Sequence, residues 1–466
     1  MKTALLMDIG STYTKVRFFD LECLELVAST RAHTTVETDV TIGINKALSQ
    51  LKEQGVDWEK ATYRLACSSA AGGLKMVAIG LVPELTAEAA KRAALGAGAK
   101  VLKVFSYELS DREMAEIQSL EPDLILLAGG TDGGNKKVIL HNAKVLAHSS
   151  LDVPIVAAGN KSVAHEVEEI LAKANKDVRV TENVMPELDK LNIEPARETI
   201  RQVFLERIIE AKGLEKAQEY VENLMMPTPA AVLAAAQLMA DGTDDEEGLG
   251  ELMVVDVGGA TTDVHSLAKG DPAKSGVNLR GLPEPYAKRT VEGDLGMRYS
   301  AQALLDVVGV KLLKEALKEM GFELSSDEIK EKVYRLSKDV EYLPQTEVDK
   351  ALDTVIGWAA VKFAVKRHVG RVEVIYTPFG SSYLQYGKDL TPLKIVIGTG
   401  GVIVNHPEPG KILKGAIFDD NDPTLLAPQN PQFWIDKQYI LSAVGLLAER
   451  DPSAALKIAK KYIKPL

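Results

Sequence analysis

The chain has 466 residues, so at roughly 150 residues per domain it holds about three packed units, which excludes a small disulfide-stapled scaffold. Hydrophobic residues make up 46% and charged residues 26%, the balance of a folded globular protein. A formal net charge of -11, from 66 Asp and Glu against 55 Lys and Arg, disfavours nucleic acid and anionic membrane surfaces as partners.

The amino terminus reads MKTALLMD, and its apolar stretch stops at Asp8, too short for the core of an export signal. The residues up to Thr35 alternate as strands (TALLMDIG, TKVRFFDLE, LELVASTRAHTT) before an amphipathic helix over Val40 to Gln54. From Thr62 to about Thr181 the rhythm becomes strand, helix, strand: YRLAC, an alanine-rich helix after Pro83, VLKVFS, a helix after Ser110, DLILLAGG, a helix over Lys137 to Ser149, PIVAAGN, a helix over Val163 to Lys173, and VRVT. Five strands joined by helices predict a parallel, flavodoxin-like sheet, because parallel neighbours need crossover connections. Beyond Pro195 the chain turns helical, with a stop at Gly213, and a second helix covers Thr228 to Asp241.

That second helix contains the longest apolar window, Ala230 to Ala240, which Gln237 interrupts and which falls well short of the ~18 residues that cross a bilayer. An acidic connection, GTDDEEGLGE, leads into a buried strand and glycine turn, ELMVVDVGGATTDV. Helices then alternate with the short strands EVIYT and LKIVIGTG. Two cysteines, Cys23 and Cys67, are too few for a disulfide framework or a thiolate metal site, and a reducing cytoplasm is the expected location.

One echo carries chemistry. DIGSTYTK (Asp8 to Lys15) and DVGGATTD (Asp256 to Asp263) each run from a strand through an Asp into a small-residue turn. Such a turn aims a carboxylate and several backbone N–H groups at one spot, as a magnesium-bound polyphosphate requires. In the first, Asp8 is expected to hold Mg²⁺ through water, with Gly10, Ser11, Thr12 and Lys15 around the phosphates. In the second, Asp256 orients water or metal, and Gly258, Gly259 and Thr261 surround the phosphates. Hairpin turns with exposed Asp are the plain alternative for either turn alone.

These segments resemble the phosphate-1 and phosphate-2 signatures of the actin, sugar kinase and heat-shock chaperone (ASKHA) superfamily. MPTPAAVLAAAQLMAD, Met226 to Asp241, resembles the first connecting helix, and VIGTGGVIVNHP, with Gly398, Gly400 and Gly401, resembles the adenosine turn. ILSAVGLLAERD resembles the second connecting helix, with Ala443 and Gly445 as small contact residues. EGDLGMR contributes Glu292, at a place where related proteins bring an acidic residue towards the nucleoside. Ala260 departs from the chaperone form, where a third glycine is usual, and no counterpart of the catalytic lysine is found.

More narrowly, DIGSTYTK, LILLAGGTDGGN and MPTPAAV together resemble the GlmL (glutamate mutase MutL) family across essentially the whole chain. The resemblance implies an α/β, actin-like (ribonuclease H-like) two-lobed ATPase: 1–61 and 191–250 form lobe I, 62–190 an inserted flavodoxin-like α/β unit, and 251–466 lobe II. It implies ATP and Mg²⁺ as cofactors and slow hydrolysis resting on Asp8, Asp256 and Thr261. The expected role is a reactivating chaperone of adenosylcobalamin-dependent glutamate (methylaspartate) mutase, whose subunits are the partners. A small-molecule kinase and an actin-like scaffold or filament are the alternatives on the same fold.

The inserted unit adds two glycine-containing strand ends, Ala128 to Asn135 and Ala157 to Asn160, at the edge where α/β sheets bind ligands or partners. Thr131, Asp132 and Asn135 are its polar groups. Cobalamin held through histidine is not expected, because the stretch after YRLAC reads SSAAGGLKM, without Asp-x-His-x-x-Gly. Asp263-Val264-His265 begins that motif but lacks its glycine, since Ala268 stands there. His141 and His148, seven apart on one helix, do not form a metal pair.

Overall fold

The computed structural model describes residues 2–10, 12–35, 39–69, 74–211, 220–377 and 380–466. They form two compact units. The first comprises Met1–Ala235, Gly281–Pro283 and Ser442–Ala455, and the second the remainder.

In the first unit, β1 (Thr3–Ile9), β2 (Tyr13–Asp20) and β3 (Glu25–His33) form an antiparallel meander, and α1 (Val40–Glu53) follows. Asp39 caps α1, its side chain accepting from the Thr41 N–H, which satisfies one amide that the first helical turn leaves free. β4 (Tyr63–Ser68) then lies parallel to β1. The five-residue YRLAC segment therefore belongs to this first sheet and is not the opening strand of the inserted one, as its position before an alanine-rich helix had predicted. Two short, mostly buried runs such as YRLACS and KMVAIG carry no difference in periodicity that assigns one to the first sheet and the other to the inserted one.

The inserted sheet opens instead with β5 (Lys75–Gly80) and continues through α2 (Glu88–Gly96), β6 (Lys100–Ser106), α3 (Asp111–Ser119), β7 (Leu124–Leu127), α4 (Lys137–His148), β8 (Ile155–Ala157), α5 (Ala164–Lys173) and β9 (Val178–Val180). All its pairings are parallel, and the order is β6-β5-β7-β8-β9, the 2-1-3-4-5 order of flavodoxin. Alternation divides its side chains between two cores. Val77, Ile79, Ile125 and Leu127 pack under α3, α4 and α5, whereas Met76, Ala78, Leu124 and Leu126 join the core of Leu5, Met7 and Ile9 from β1. After α6 (Glu194–Ala211), β10 (Asn223–Pro227) returns parallel to β4 and leads directly into α7 (Thr228–Asp241). The first sheet thus reads β3-β2-β1-β4-β10. The predicted stop at Gly213 lies outside the described residues.

The second unit repeats that plan. A short hairpin, β11 (Gly242–Thr243) and β12 (Glu246–Glu247), precedes β13 (Leu252–Val257), β14 (Thr262–Leu267), β15 (Val277–Arg280) and β16 (Ala287–Glu292). Helices α8 (Ala301–Val308), α9 (Val310–Glu319), α10 (Ser326–Lys338) and α11 (Glu347–His368) follow. Then come β17 (Arg371–Thr377), β18 (Gly380–Tyr386), β19 (Ile395–Thr399), α12 (Gly401–Asn405), α13 (Pro409–Leu413) and β20 (Gln432–Ile435); α14 (Leu441–Ala448) and the first turn of α15 (Pro452–Tyr462) belong to the first unit through Ser442–Ala455, and β21 (Lys464–Pro465) is again part of the second. Its main sheet is ordered β16-β14-β13-β19-β20-β21. Two strands in antiparallel succession again flank one side of the central strand and two parallel strands the other, with short β21 added antiparallel at the edge, so each unit carries the ribonuclease H-like sheet of the actin fold. No helix among the described residues is long and apolar enough to cross a membrane.

Met253, Val255, Val257 and Val264 pack against the long buried helix α11. His265 stands on β14 between Val254 and Arg289, fully buried, and neither ring nitrogen has a hydrogen-bond partner. Burial, then the Arg289 charge, pushes its pKa down to about 3, against a smaller opposing pull from Asp263. His368, bonded to Ser266 and Thr290, is held well below its ordinary value by burial, then by Lys288 and Lys388. Both rings are neutral when folded and take up protons when unfolded below about pH 6.5, so stability falls with pH from there towards the depressed folded values. Each histidine should cost roughly 1.4 kcal/mol per pH unit in that window, read as a falling denaturation midpoint between pH 7 and pH 5 and relieved in His265→Leu.

Candidate functional site

At the end of β1 the chain turns tightly: the Gly10 N–H donates to the Tyr13 carbonyl at 3.1 Å. A Cβ on Gly10 would stand 2.8 Å from that oxygen, so the turn demands glycine. Ser11 lies outside the described residues, and Thr12, half-buried, accepts at its carbonyl from the Thr34 N–H at 2.8 Å. Asp8 faces Lys15 across the β1–β2 register, and the Lys15 Nζ donates to Asp8 Oδ2 at 3.2 Å. The other oxygen, Oδ1, accepts from the Thr228 hydroxyl at 2.7 Å, with Cys67 Sγ at 3.6 Å. Burial, then the Asp8 charge, pushes the Cys67 thiol well up, so it stays protonated.

The second unit builds the same turn. The Gly258 N–H donates to the Thr261 carbonyl at 2.9 Å, again two residues after a strand Asp. The Gly258 and Gly259 carbonyls accept from the N–H groups of Met297 at 3.1 Å and Arg298 at 2.8 Å. Among the described residues every peptide is trans, so the Gly259 and Ala260 N–H groups point away from that segment as two successive donors. Thr261 donates through its hydroxyl to Asp263 Oδ2 at 3.1 Å. Arg289 clamps Asp263 Oδ1 through Nε at 2.9 Å and Nη2 at 2.5 Å, fixing the strand that follows Thr261.

The glycines of the predicted adenosine turn reach the same place from β19, whose Thr399 pairs with Asp256. Gly400 has φ +93°, and a Cβ there would overlap the Val257 carbonyl and stand 2.6 Å from Asp256 Oδ1. Gly398 packs against Ile403 and Leu413, while Gly401 faces open space. The Thr399 hydroxyl donates to buried Asp436 at 3.0 Å, and Asp436 accepts from the N–H groups of Ile440 at 2.8 Å and Leu441 at 3.0 Å, capping α14. Glu292, beside Thr262 in register, is ion-paired with Arg367 at 2.6 Å, which also grips Asp294.

The structure therefore groups Asp8, Gly10, Thr12 and Lys15 in the first unit, and Asp256, Gly258, Gly259, Thr261, Glu292, Gly398, Gly400 and Gly401 in the second. Thr228, Cys67, Asp436, Arg289 and Arg367 escape sequence reading as site residues. Each acts through a partner tens or hundreds of positions away, which no local spacing reveals. At the inserted sheet, the glycine loop is closed on itself. Asn160 Oδ1 accepts from the Gly133 and Ser162 N–H groups, and its Nδ2 donates to the Gly134 and Asn135 carbonyls. Asp132 accepts from the Lys161 N–H and from Asn183. Because β5 opens this sheet, the segment after its first strand is Leu81 to Ala87, of which Pro83–Ala87 is helical, and its sequence has no histidine. No group of three or more metal-binding side chains occurs among the described residues.

In the first unit, α7 and α14 approach so closely that a Cβ on Gly445 would overlap the Ala231 carbonyl oxygen. Two ribonuclease H-like sheets, each with a strand-Asp-glycine turn, define a two-lobed protein of the ASKHA class. Within that class, the chain belongs to the MutL protein family, whose model matches residues 4–463. It is 54% identical over 465 residues to Protein MutL of Clostridium tetanomorphum, covering 99% of each chain. Among solved structures it aligns with component A of the Acidaminococcus fermentans (R)-2-hydroxyglutaryl-CoA dehydratase (TM-score 0.31, 10% identity, 99% of both chains). It also aligns with a gluconate kinase from Lactobacillus acidophilus (TM-score 0.36, 10% identity, 100% and 92% coverage).

The crossing at Gly445 yields a direct test. Gly445→Ala forces the two helices apart, and overpacking of this kind costs about 1–3 kcal/mol or more. A lowered chemical-denaturation midpoint is expected for Gly445→Ala, whereas Gly401→Ala, at a site with open space, should stay within about 1 kcal/mol of wild type.

Proposed function

We propose that this chain is a cytoplasmic, ATP-dependent accessory protein that reactivates adenosylcobalamin-dependent glutamate mutase by exchanging damaged cobalamin for intact coenzyme. The observation that carries the nucleotide part is the doubled turn, Gly10 to Tyr13 and Gly258 to Thr261, each following a strand carboxylate. Membership of the MutL family and the sequence resemblance to its glutamate mutase branch support the partner.

The residues present fit Mg²⁺-ATP. Asp8 and Asp256 supply hard oxygen ligands suited to magnesium through water, and the trans amides of Gly259 and Ala260 form a cradle for an anion. Magnesium, when bound with ATP, supplies charge neutralisation on the phosphates. The chain's own contribution is placement. Thr261, held by Asp263, presents a hydroxyl beside the second turn, and Lys15 places a cation beside the first. Gly400 keeps the adenosine turn against Asp256 without a side chain between them.

Nucleotide state would be read by the small residues of the connecting helices, Ala231, Ala235, Ala443 and Gly445, and passed to the mutase as altered grip. Asp8→Ala and Asp256→Ala should each abolish magnesium-dependent ATP turnover, measured as phosphate release. Wild-type rates in both variants would refute the assignment of the turns. A pull-down of glutamate mutase subunits in ATP, ADP and nucleotide-free states should show nucleotide-dependent capture; equal or absent capture in all three would refute the accessory role.

A further inference from the structure

The two oxygens of the Asp8 carboxylate are held in different ways. Oδ2 meets only a long-reaching cation in the hydrogen bonds that define this corner, the Lys15 ammonium at 3.2 Å. Oδ1 meets a short, stiff donor, the Thr228 hydroxyl at 2.7 Å, with the protonated Cys67 thiol beside both at 3.6 Å. Three adjacent parallel strands deliver these groups: Asp8 pairs with Cys67 across β1 and β4, and Cys67 pairs with Met226 of β10, two residues before Thr228. Thr228 lies between Pro227 and Pro229, which restrict its backbone, and its β-branched side chain restricts χ1. A carboxylate's terminal torsion is otherwise broad and roughly two-fold, so either oxygen could turn towards a ligand.

We propose that Thr228 is a positioning residue of the phosphate-1 turn: its hydroxyl fixes Asp8 Oδ1, so that Oδ2 is the oxygen presented to magnesium-bound water. This rests on the assignment of Asp8 to Mg²⁺-ATP above. Thr228 is also the first residue of α7, the helix within which the boundary between the two units falls. The same hydrogen bond therefore ties the orientation of the Asp8 carboxylate to the start of a connecting helix.

The test is a magnesium titration read by the anisotropy of a fluorescent ATP analogue, with no turnover required, on wild type, Thr228→Val, Thr228→Ser and Asp8→Ala. Thr228→Val should need about ten- to a hundredfold more Mg²⁺ for half-maximal binding, the range typical when a partner holding a metal's ligand is lost. Thr228→Ser keeps the hydroxyl and should stay close to wild type. A wild-type magnesium requirement in Thr228→Val while Asp8→Ala needs far more overturns the positioning role and leaves the turn assignment standing. Equal loss in the Val and Ser variants is a packing effect and also overturns it. An unchanged requirement in Asp8→Ala overturns the assignment of the turn and this role with it.

Discussion

A glycine N–H that reaches the carbonyl three residues ahead, made once in each unit, is the constraint on which the arrangement depends. It bends the chain from one strand into its antiparallel neighbour within four residues, and the bend leaves the preceding Asp at the end of a central strand. At Gly10 a side chain would collide with the carbonyl that closes the turn. The central strand has parallel neighbours on its other side, so groups arriving from those strands gather at the same end as the carboxylate. In the first unit these are Cys67 and Thr228, and in the second Thr399 and Gly400.

The two turns share the same closing glycine bond and differ in charge. Opposite Asp8 stands Lys15, and in the corresponding register position opposite Asp256 stands Asp263, itself clamped by Arg289. A cation beside one carboxylate and a neutralised acid beside the other give the halves different duties. The first holds a positive charge at its turn, while the second stiffens the hydroxyl of Thr261. Asp436 performs a related service for the adenosine turn, holding Thr399 with one oxygen while capping α14. Thr228, Arg289 and Asp436 each orient another polar group of these corners.

The inserted flavodoxin-like sheet is less separable than a decoration would be. One face of β5 and β7 lies in the same core as β1, so removing the inserted sheet, residues 75–180, would strip apolar cover from Leu5, Met7 and Ile9. Its glycine loop, which invited comparison with a ligand site, is filled by Asn160 and Asn183, which donate to the loop's own carbonyls, while Asp132 accepts from the Lys161 N–H of the neighbouring strand end. Asp132 is therefore a structural group in this protein, whereas exposed Asn135, which accepts from the Val138 N–H, remains at the surface of that edge.

The sequence by itself determined the class of fold, the doubled Asp-glycine turn and the parallel character of the inserted sheet. These depend on local backbone demands: tight turns need glycine, buried parallel strands need apolar runs, and crossovers need helices of sufficient length. The tertiary structure decided which sheet each apolar run joins, moving Tyr63–Ser68 beside β1 and giving the opening place in the inserted sheet to Lys75–Gly80. It also decided which side chains meet. Asp8 and Thr228 are 220 positions apart, and Ala231 and Gly445 nearly as far, yet each pair is in contact. Contact at such separations is set by strand order and helix crossing, and neither leaves a spacing in the sequence that local chemistry can read.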